Sequence, residues 1–246
     1  MVRFRSSETT CCGGPLRLSL DTREVGRVTI VRCNGRIVAG TESEALRAHV
    51  AWLLRDRRSI VLHLGEVGFI DSSGLGTMVR ALTSTRQAHG DLKLCNVPEF
   101  ARKVLEISRL TSVFDAHDSE EKAIAAFYST GTRAEMPVAT GPSILCLDTN
   151  ADVLAYLREV LRRAGYDVQS SSRIADALLL MRVTHFDLLL AGPALTASPA
   201  SPPAFQEACA RLPVIELGSE FSTSHAGEAA ARLLETIATR LKPQTA

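Results

Sequence analysis

Hydrophobic and polar positions alternate near the start of the chain in a way that predicts a pair of β-strands. Leucines occupy every second position from Leu16 to Leu20, and a run rich in β-branched residues spans 28–31 after a turn at Val25-Gly26. Residues 1–15 show no such periodicity, and we expect them to form a disordered arm.

Strand and helix patterns then alternate as far as residue 128, which predicts an α/β unit. Thr41 followed by Glu44 has the spacing of a capping box and predicts the start of a helix. Apolar residues at i, i+3, i+4 and i+7 from Leu75 predict an amphipathic helix that ends near Gly90. The other predicted elements are a buried strand at Ile60–Leu64, a turn from Gly65 to Asp71, a strand at Asp91–Val97, a helix from Pro98 that carries Phe100, Val104 and Ile107, an edge strand at Val113-Phe114, and a helix from Ser119 through Phe127.

A second unit is predicted after a linker. Residues 129–142 are dense in Gly, Pro and Thr without sustained periodicity, which is typical of a connection between domains. From 143 to 246 short apolar strands alternate with helical patterns. This βαβαβ order predicts a parallel, doubly wound sheet of the flavodoxin-like kind.

Charge and composition narrow the class of partner. The 28 Lys and Arg residues nearly cancel the 27 Asp and Glu residues, so we expect a protein partner and neither a nucleic acid nor a membrane. No apolar run approaches the ~20 residues of a membrane span, and the start of the chain has no signal-peptide core, which predicts a cytoplasmic protein. The 6 cysteines and 6 histidines show no metal-ligand spacing, and we expect no metal and no cofactor.

The segment 68–76, Gly-Phe-Ile-Asp-Ser-Ser-Gly-Leu-Gly, joins a predicted strand to a predicted helix. Asp71 or Ser72 can cap the free amides of the first helical turn, where the helix dipole tolerates added negative charge. A phosphate on Ser72 could therefore be held without unfolding the helix. We expect Gly74 and Gly76 to keep the surface low enough for a partner to approach. The pattern alone is also compatible with an ordinary N-cap that has no regulatory role.

Residues 69–76 resemble the phosphorylation-site motif of bacterial anti-sigma factor antagonists, whose fold is the STAS domain with a mixed sheet. The order of elements extends this resemblance over residues 16–128. It implies that Ser72 is the phosphorylated residue. It also implies a partner-binding patch made of Asp71, Ser73, Gly74, Leu75 and Gly76. The implied partners are a histidine-kinase-like serine kinase that doubles as an anti-sigma factor, and a serine phosphatase that removes the phosphate.

The second unit, over residues 143–241, resembles a response-regulator receiver domain. A working receiver needs clustered carboxylates that hold a divalent cation, together with an aspartate nucleophile. Here one acid of the opening pair is missing, and glycines stand where the phospho-accepting aspartate and a hydroxyl residue are required. The resemblance therefore implies a pseudo-receiver with a vestigial pocket formed by Asp148, Thr149, Gly192 and Gly218. Protein contact, homodimerisation and steric control of the first unit all remain open as its role.

Two other classes of function are alternatives to a phosphorylation switch. An enzyme is disfavoured because Ser72 lacks the G-x-S-x-G elbow of hydrolases and no glycine-rich phosphate loop with its lysine is present. The stronger rival is a STAS scaffold, or an accessory subunit of a larger assembly such as a stressosome-like particle or a transporter.

Overall fold

The computed structural model of the chain describes residues 17–129, 141–196, 202–218 and 226–241. The predicted N-terminal arm and most of the predicted linker lie outside the described residues. The described part contains two β-sheets, each with its own helices. We call the part up to Ser129 the N-terminal unit and the part from Gly141 the C-terminal unit.

The sheet of the N-terminal unit has five described strands in the order β1-β2-β3-β4-β5. Only the β1–β2 pair is antiparallel, and the other neighbours are parallel, so the sheet is mixed as predicted. The strands are β1 (Ser19–Val25), β2 (Val28–Ile37), β3 (Ser59–Ile70), β4 (Asp91–Cys95) and β5 (Asp115–His117).

Helices cover the two faces of this sheet unequally. The four helices are α1 (Thr41–Leu53), α2 (Ser72–Gln87), α3 (Glu99–Ile107) and α4 (Glu120–Ser129). Helices α1, α2 and α3 pack their buried leucines, valines and methionine against one face. On the opposite face α4 buries Ala123, Ile124 and Phe127. Strands that are apolar on both sides need such a cover on both faces.

Four local predictions are wrong. Helix α1 has Gly40 as its N-cap, with φ of 97°, and the Thr41 hydroxyl bonds Glu42, so no capping box forms. The chain does not turn from Gly65 to Asp71, because strand β3 continues to Ile70 by pairing with β2. On helix α3, Phe100 and Val104 pack against the core as predicted, but Ile107 is 85% exposed. The edge strand forms at Asp115–His117 and not at Val113-Phe114, because the later residues are the ones that pair with β4.

The C-terminal unit has a parallel sheet with the order β7-β6-β8-β9 in the described residues. Helices lie on both faces, as a doubly wound sheet requires: one apolar cluster takes side chains from α5 and α9, another from α6 and α8. The strands are β6 (Ser143–Leu147), β7 (Asp167–Ser171), β8 (Leu188–Ala191) and β9 (Val214–Glu216), and the helices are α5 (Ala151–Arg163), α6 (Ile174–Val183), α7 (Pro193–Thr196), α8 (Pro203–Ala210) and α9 (Ala226–Leu241).

A single apolar cluster connects the two units. It includes Val28 and Ile30 of β2, Phe127 of α4, and Ala177 and Leu180 of α6. The units therefore share buried surface instead of standing apart. Among the described residues, no helix is both long enough and apolar enough to cross a lipid bilayer.

Residues of the shared cluster should contribute more to stability than exposed apolar residues. Ile30 is 1% exposed, and Ile30→Ala should lower the free energy of unfolding by about 2–5 kcal/mol through lost burial and a residual cavity. Ile107→Ala removes the same atoms from an 85% exposed side chain and should change stability by less than ~0.5 kcal/mol. Urea denaturation monitored by circular dichroism measures both, and equal effects would contradict the assignment of the core.

Candidate functional site

The junction between β3 and α2 lies at an end of the sheet to which β2 and β3 extend but β4 does not. Strand β4 pairs with β3 only from Ser59 to His63, whereas β2 follows β3 as far as Ile70. The last residues of β3 thus extend beyond β4, and α2 begins immediately afterwards at Ser72. The predicted site residues lie at the carboxyl end of a central strand, where a partner can approach.

Asp71 holds this junction together through hydrogen bonds to three segments. Its Oδ1 atom accepts a hydrogen bond from the Gly74 amide at 2.7 Å, so Asp71 is the N-cap of α2. Its Oδ2 atom accepts one from the Ala39 amide at 3.0 Å, and its own amide donates to the Ile37 carbonyl at 3.2 Å. The start of α2 is therefore tied to the end of β2 and to the loop before α1.

These contacts keep Asp71 ionised. The hydrogen bonds from the Ala39 and Gly74 amides lower the pKa of the Asp71 carboxyl below its ordinary value. A group whose pKa is lowered by folding contributes stability at pH values above its unfolded pKa and loses that contribution as the pH falls through the folded value. The cap is accordingly intact at neutral pH and weakens only in acid.

The five residues after Asp71 differ in accessibility. Ser72 and Ser73 are exposed at the start of α2, and Gly76 is partly exposed. Gly74 and Leu75 are buried, with Leu75 in the apolar cluster between α2 and the sheet. Of the predicted patch, Gly74 and Leu75 therefore pack the helix onto the sheet, and Asp71, Ser73 and Gly76 remain beside Ser72 at the surface.

The fold requires glycine at position 74 but not at position 76. A Cβ atom on Gly74 would fall on the Ile37 carbonyl, far inside van der Waals contact, so the close approach of α2 to β2 requires glycine there. A Cβ atom on Gly76 would meet only the Arg80 guanidinium, at 3.8 Å, which is an ordinary contact. The fold does not require glycine at position 76.

An aromatic–cation pair beside the serine was not among the predicted site residues. Phe69 is 46% exposed, and the Arg36 guanidinium lies over its ring at 5.1 Å. The two are partners in the β2–β3 register, and Arg36 contributes to the low pKa of Asp71. Only the unexpected length of β3 places Phe69 on the surface, so the sequence pattern alone did not indicate this pair.

The residues of the predicted vestigial pocket meet at the carboxyl end of the C-terminal sheet. Asp148 follows β6 and is nearly buried, Thr149 is exposed next to it, and Gly192 follows β8. Gly218 comes after Leu217, whose amide donates to the Ala191 carbonyl at 2.8 Å. All four predicted positions therefore lie at the same end of this sheet, where its parallel strands have their carboxyl ends.

Asp148 fills the space beside Gly192. A Cβ atom on Gly192 would coincide with the Asp148 carboxylate. That carboxylate is fixed by the Asn150 amide, which donates to its Oδ1 atom at 2.7 Å. Among the described residues, no group of three or more His, Cys, Asp or Glu side chains is arranged to hold a metal ion.

Comparison with known proteins identifies relatives of the N-terminal unit. The model of the STAS domain family matches residues 19–123. The protein BtrV of Bordetella bronchiseptica, named as an anti-sigma factor antagonist, is 34% identical over 99 residues, which are 40% of this chain and 85% of BtrV. The anti-sigma F factor antagonist of Paenibacillus polymyxa is 28% identical over 111 residues, which are 44% of this chain and 94% of that protein.

Solved structures were compared in the same way. The structure of the Bacillus protein SpoIIAA in its phosphorylated form is 23% identical, with a TM-score of 0.38, and the match covers 44% of this chain and 99% of that one. An anti-sigma factor antagonist from Mycobacterium paratuberculosis is 18% identical, with a TM-score of 0.42, and the match covers 47% of this chain and 97% of that one.

The contrast between the two glycines can be measured. Gly76→Ala has room for the methyl group and gains helix propensity, so the free energy of unfolding should rise by ~0.5–1 kcal/mol. Gly74→Ala pushes a methyl group against the Ile37 carbonyl and should lower stability by about 1–3 kcal/mol. Thermal or urea unfolding of both variants checks the signs, and a stabilising Gly74→Ala would contradict the packing described.

Proposed function

The chain belongs to the STAS-domain family of anti-sigma factor antagonists, and from that premise we propose that it is a non-enzymatic regulator whose binding to a partner protein is switched by phosphorylation of Ser72. The partner is a histidine-kinase-like serine kinase that doubles as an anti-sigma factor. The unmodified chain binds it and sets the sigma factor free. A serine phosphatase restores the binding form.

The observation that carries this proposal is the position of Ser72. It is an exposed residue and the first residue of α2, directly after the Asp71 cap. The free amides and the dipole at a helix start carry about half a positive charge, which favours a phosphate at this place over most others on a surface. Modification can then proceed without breaking the Asp71 hydrogen bonds that fix the helix.

Phosphorylation changes the surface more than the fold. It adds about −1.5 to −2 charges at neutral pH, and a partner that covers Ser72 would have to desolvate them. A difference in affinity of about 5.5 kcal/mol moves a two-state population from almost fully bound to almost fully free. A dianion buried without a counter-charge is of the right order to supply that difference.

The groups around Ser72 suit a protein interface. Aromatic and arginine side chains are enriched in the cores of protein interfaces, and Arg36 of the Phe69–Arg36 pair is close enough to Asp71 to lower its pKa. Gly76 costs helix stability without a packing reason, which is consistent with a partner that needs a flat surface one turn beyond Ser72. We therefore assign Asp71, Ser73 and Gly76, together with Phe69 and Arg36, to the partner contact.

We further propose that the C-terminal unit is a receiver-like domain without phosphoryl-transfer chemistry. Its parallel 2-1-3-4 strand order agrees with a flavodoxin-like sheet. The place of the phospho-accepting side chain is occupied by the Asp148 carboxylate, and Gly192 offers no nucleophile. Its contribution is a surface for protein contact.

Phosphorylation of Ser72 is tested with the purified full chain, ATP and serine kinases of the anti-sigma type. The wild type should gain one phosphate by intact mass, Ser72→Ala none, and the control Ser84→Ala, an exposed serine three turns further along α2, as much as the wild type. In calorimetry the kinase should bind the wild type and Ser72→Ala alike. Ser72→Asp should bind roughly 10–100-fold more weakly, because a charge is placed in the interface.

A further variant separates an effect on binding from an effect on folding. Gly76→Ala should weaken binding although it raises stability, and opposite signs cannot come from misfolding. Labelling of Ser72→Ala to the wild-type level excludes the serine, and equal affinities of the wild type, Ser72→Ala and Ser72→Asp exclude the switch.

The C-terminal unit is tested with acetyl phosphate and Mg²⁺. No acyl phosphate should form, since Gly192 has no side chain and Asp148 is held by the Asn150 amide. Mass spectrometry before and after hydroxylamine distinguishes an acyl phosphate from phosphoserine, with a working receiver as positive control. A hydroxylamine-sensitive phosphate on Asp148 would disprove the loss of chemistry.

A further inference from the structure

The face of the N-terminal sheet that carries α4 is only half covered by that helix. Helix α4 contacts β3, β4 and β5. The β1–β2 half of the same face is apolar, and Val25, Val28 and Ile30 there are at most 1% exposed. These three side chains share a cluster with Ala177 and Leu180 of α6, so the C-terminal unit supplies the missing cover.

Arg23 of β1 fixes the angle between the units. Its Nη1 atom donates to both carboxylate oxygens of Asp176 in α6, with one distance of 2.5 Å, and its Nη2 atom donates to Glu120 in α4. The side chains of Asp176 and Glu120 are mostly buried. A bidentate arginine between two buried carboxylates gives geometric specificity more than stability.

The β1–β2 hairpin tip fits into the C-terminal unit. The Gly26 amide donates to the Ser170 carbonyl of β7 at 3.2 Å, and the Tyr128 hydroxyl donates to Gln169 at 2.7 Å. A Cβ atom on Gly26 would overlap both the Tyr128 hydroxyl and the Gln169 side chain. A side chain at position 26 would therefore have to displace the ends of Tyr128 and Gln169 and adopt a φ of 59°, which L residues rarely do.

A further ion pair reaches across the hairpin. Arg158 of α5 donates to Glu24 of β1 at 3.3 Å and to the Ser170 hydroxyl at 2.6 Å. Contacts thus come from three elements of the N-terminal unit, β1, β2 and α4, and from three of the C-terminal unit, β7, α5 and α6, around one apolar centre.

We infer that the β1–β2 half of this face is a second interaction surface, whose occupant is the C-terminal unit of the same chain, and that this occupancy keeps a second copy of the chain from docking there. Strand β1 is an edge strand in the described sheet, and an open edge beside apolar residues promotes association between copies. The surface is remote from the serine site, because the 10-residue strand β2 separates hairpin and α2 by roughly 30 Å at ~3.3 Å per residue. Closure therefore leaves Ser72 accessible.

The test opens the interface in the full chain by two independent changes. Asp176→Arg replaces the carboxylate that pairs with Arg23 by a second positive charge. Glu159→Arg is its control, because the ion pair of Glu159 is with Arg163 on the same helix. Gly26→Ala places a methyl group in the contact, and Gly165→Ala is its control, since Gly165 also has a positive φ but no atom within 4 Å of a Cβ. Amide exchange at residue 26 reports opening, and sedimentation velocity reports association.

Both opening variants should exchange the amide of residue 26 at least ~10-fold faster, because its acceptor on Ser170 moves away. Their average mass should then rise with concentration over about a hundredfold range, while the wild type and both controls keep a constant mass. Wild-type exchange in both opening variants would show that these contacts do not hold the units together. Fast exchange with an unchanged mass would show that the C-terminal unit does not block association. Either result overturns the proposal.

Discussion

A sheet whose strands are apolar on both faces must be packed against other elements on both faces, and this requirement organises the whole described structure. Three helices cover one face of the five-stranded sheet, whereas α4 alone is too narrow for the other. The remaining apolar strip on β1 and β2 is buried by α6. The C-terminal unit is therefore part of the core of the N-terminal unit, even though the two have separate sheets.

The same requirement leaves one end of the sheet free for binding. Covering helices protect the faces, but the carboxyl end of β3 extends beyond β4 and ends in a helix start. Polar groups gather there because the first-turn amides need acceptors, which Asp71 supplies. Gly74 serves the packing of this corner and Gly76 does not, so the proposed partner contact can be altered at Gly76 without disturbing the packing at Gly74.

The sequence predicted the elements and the junction well, since both depend on local patterns. The strand pair, helix α2 and the position of Asp71 and Ser72 follow from alternation, helical spacing and capping chemistry. Glycine-rich residues at the end of β3 suggested a turn, but pairing with β2 overrides that local preference. Likewise Gly40 takes the N-cap position of α1, because its positive φ suits the tight turn before the helix.

The interface between the units could not be predicted from such patterns. Arg23 and Asp176 are 153 positions apart, and nothing in the neighbourhood of either indicates the other. On its own element, each residue has the local pattern of an ordinary solvated charge. The exposed Arg36–Phe69 pair was missed for a related reason, since its exposure depends on which strands pair beyond residue 63.

Charge placement explains how a buried interface tolerates three ionised groups. Glu120 and Asp176 both lie in the first turn of a helix, where the dipole favours a carboxylate. Burial alone would raise the pKa of Glu120, but hydrogen bonds from Arg32 and Arg23 outweigh it, and the pKa is lowered. Glu120 thus stays ionised at neutral pH, and Arg23 can bridge it to Asp176 only when α4 and α6 lie side by side. The C-terminal unit thus uses α6 and the backbone of β7 to hold one orientation on the N-terminal sheet.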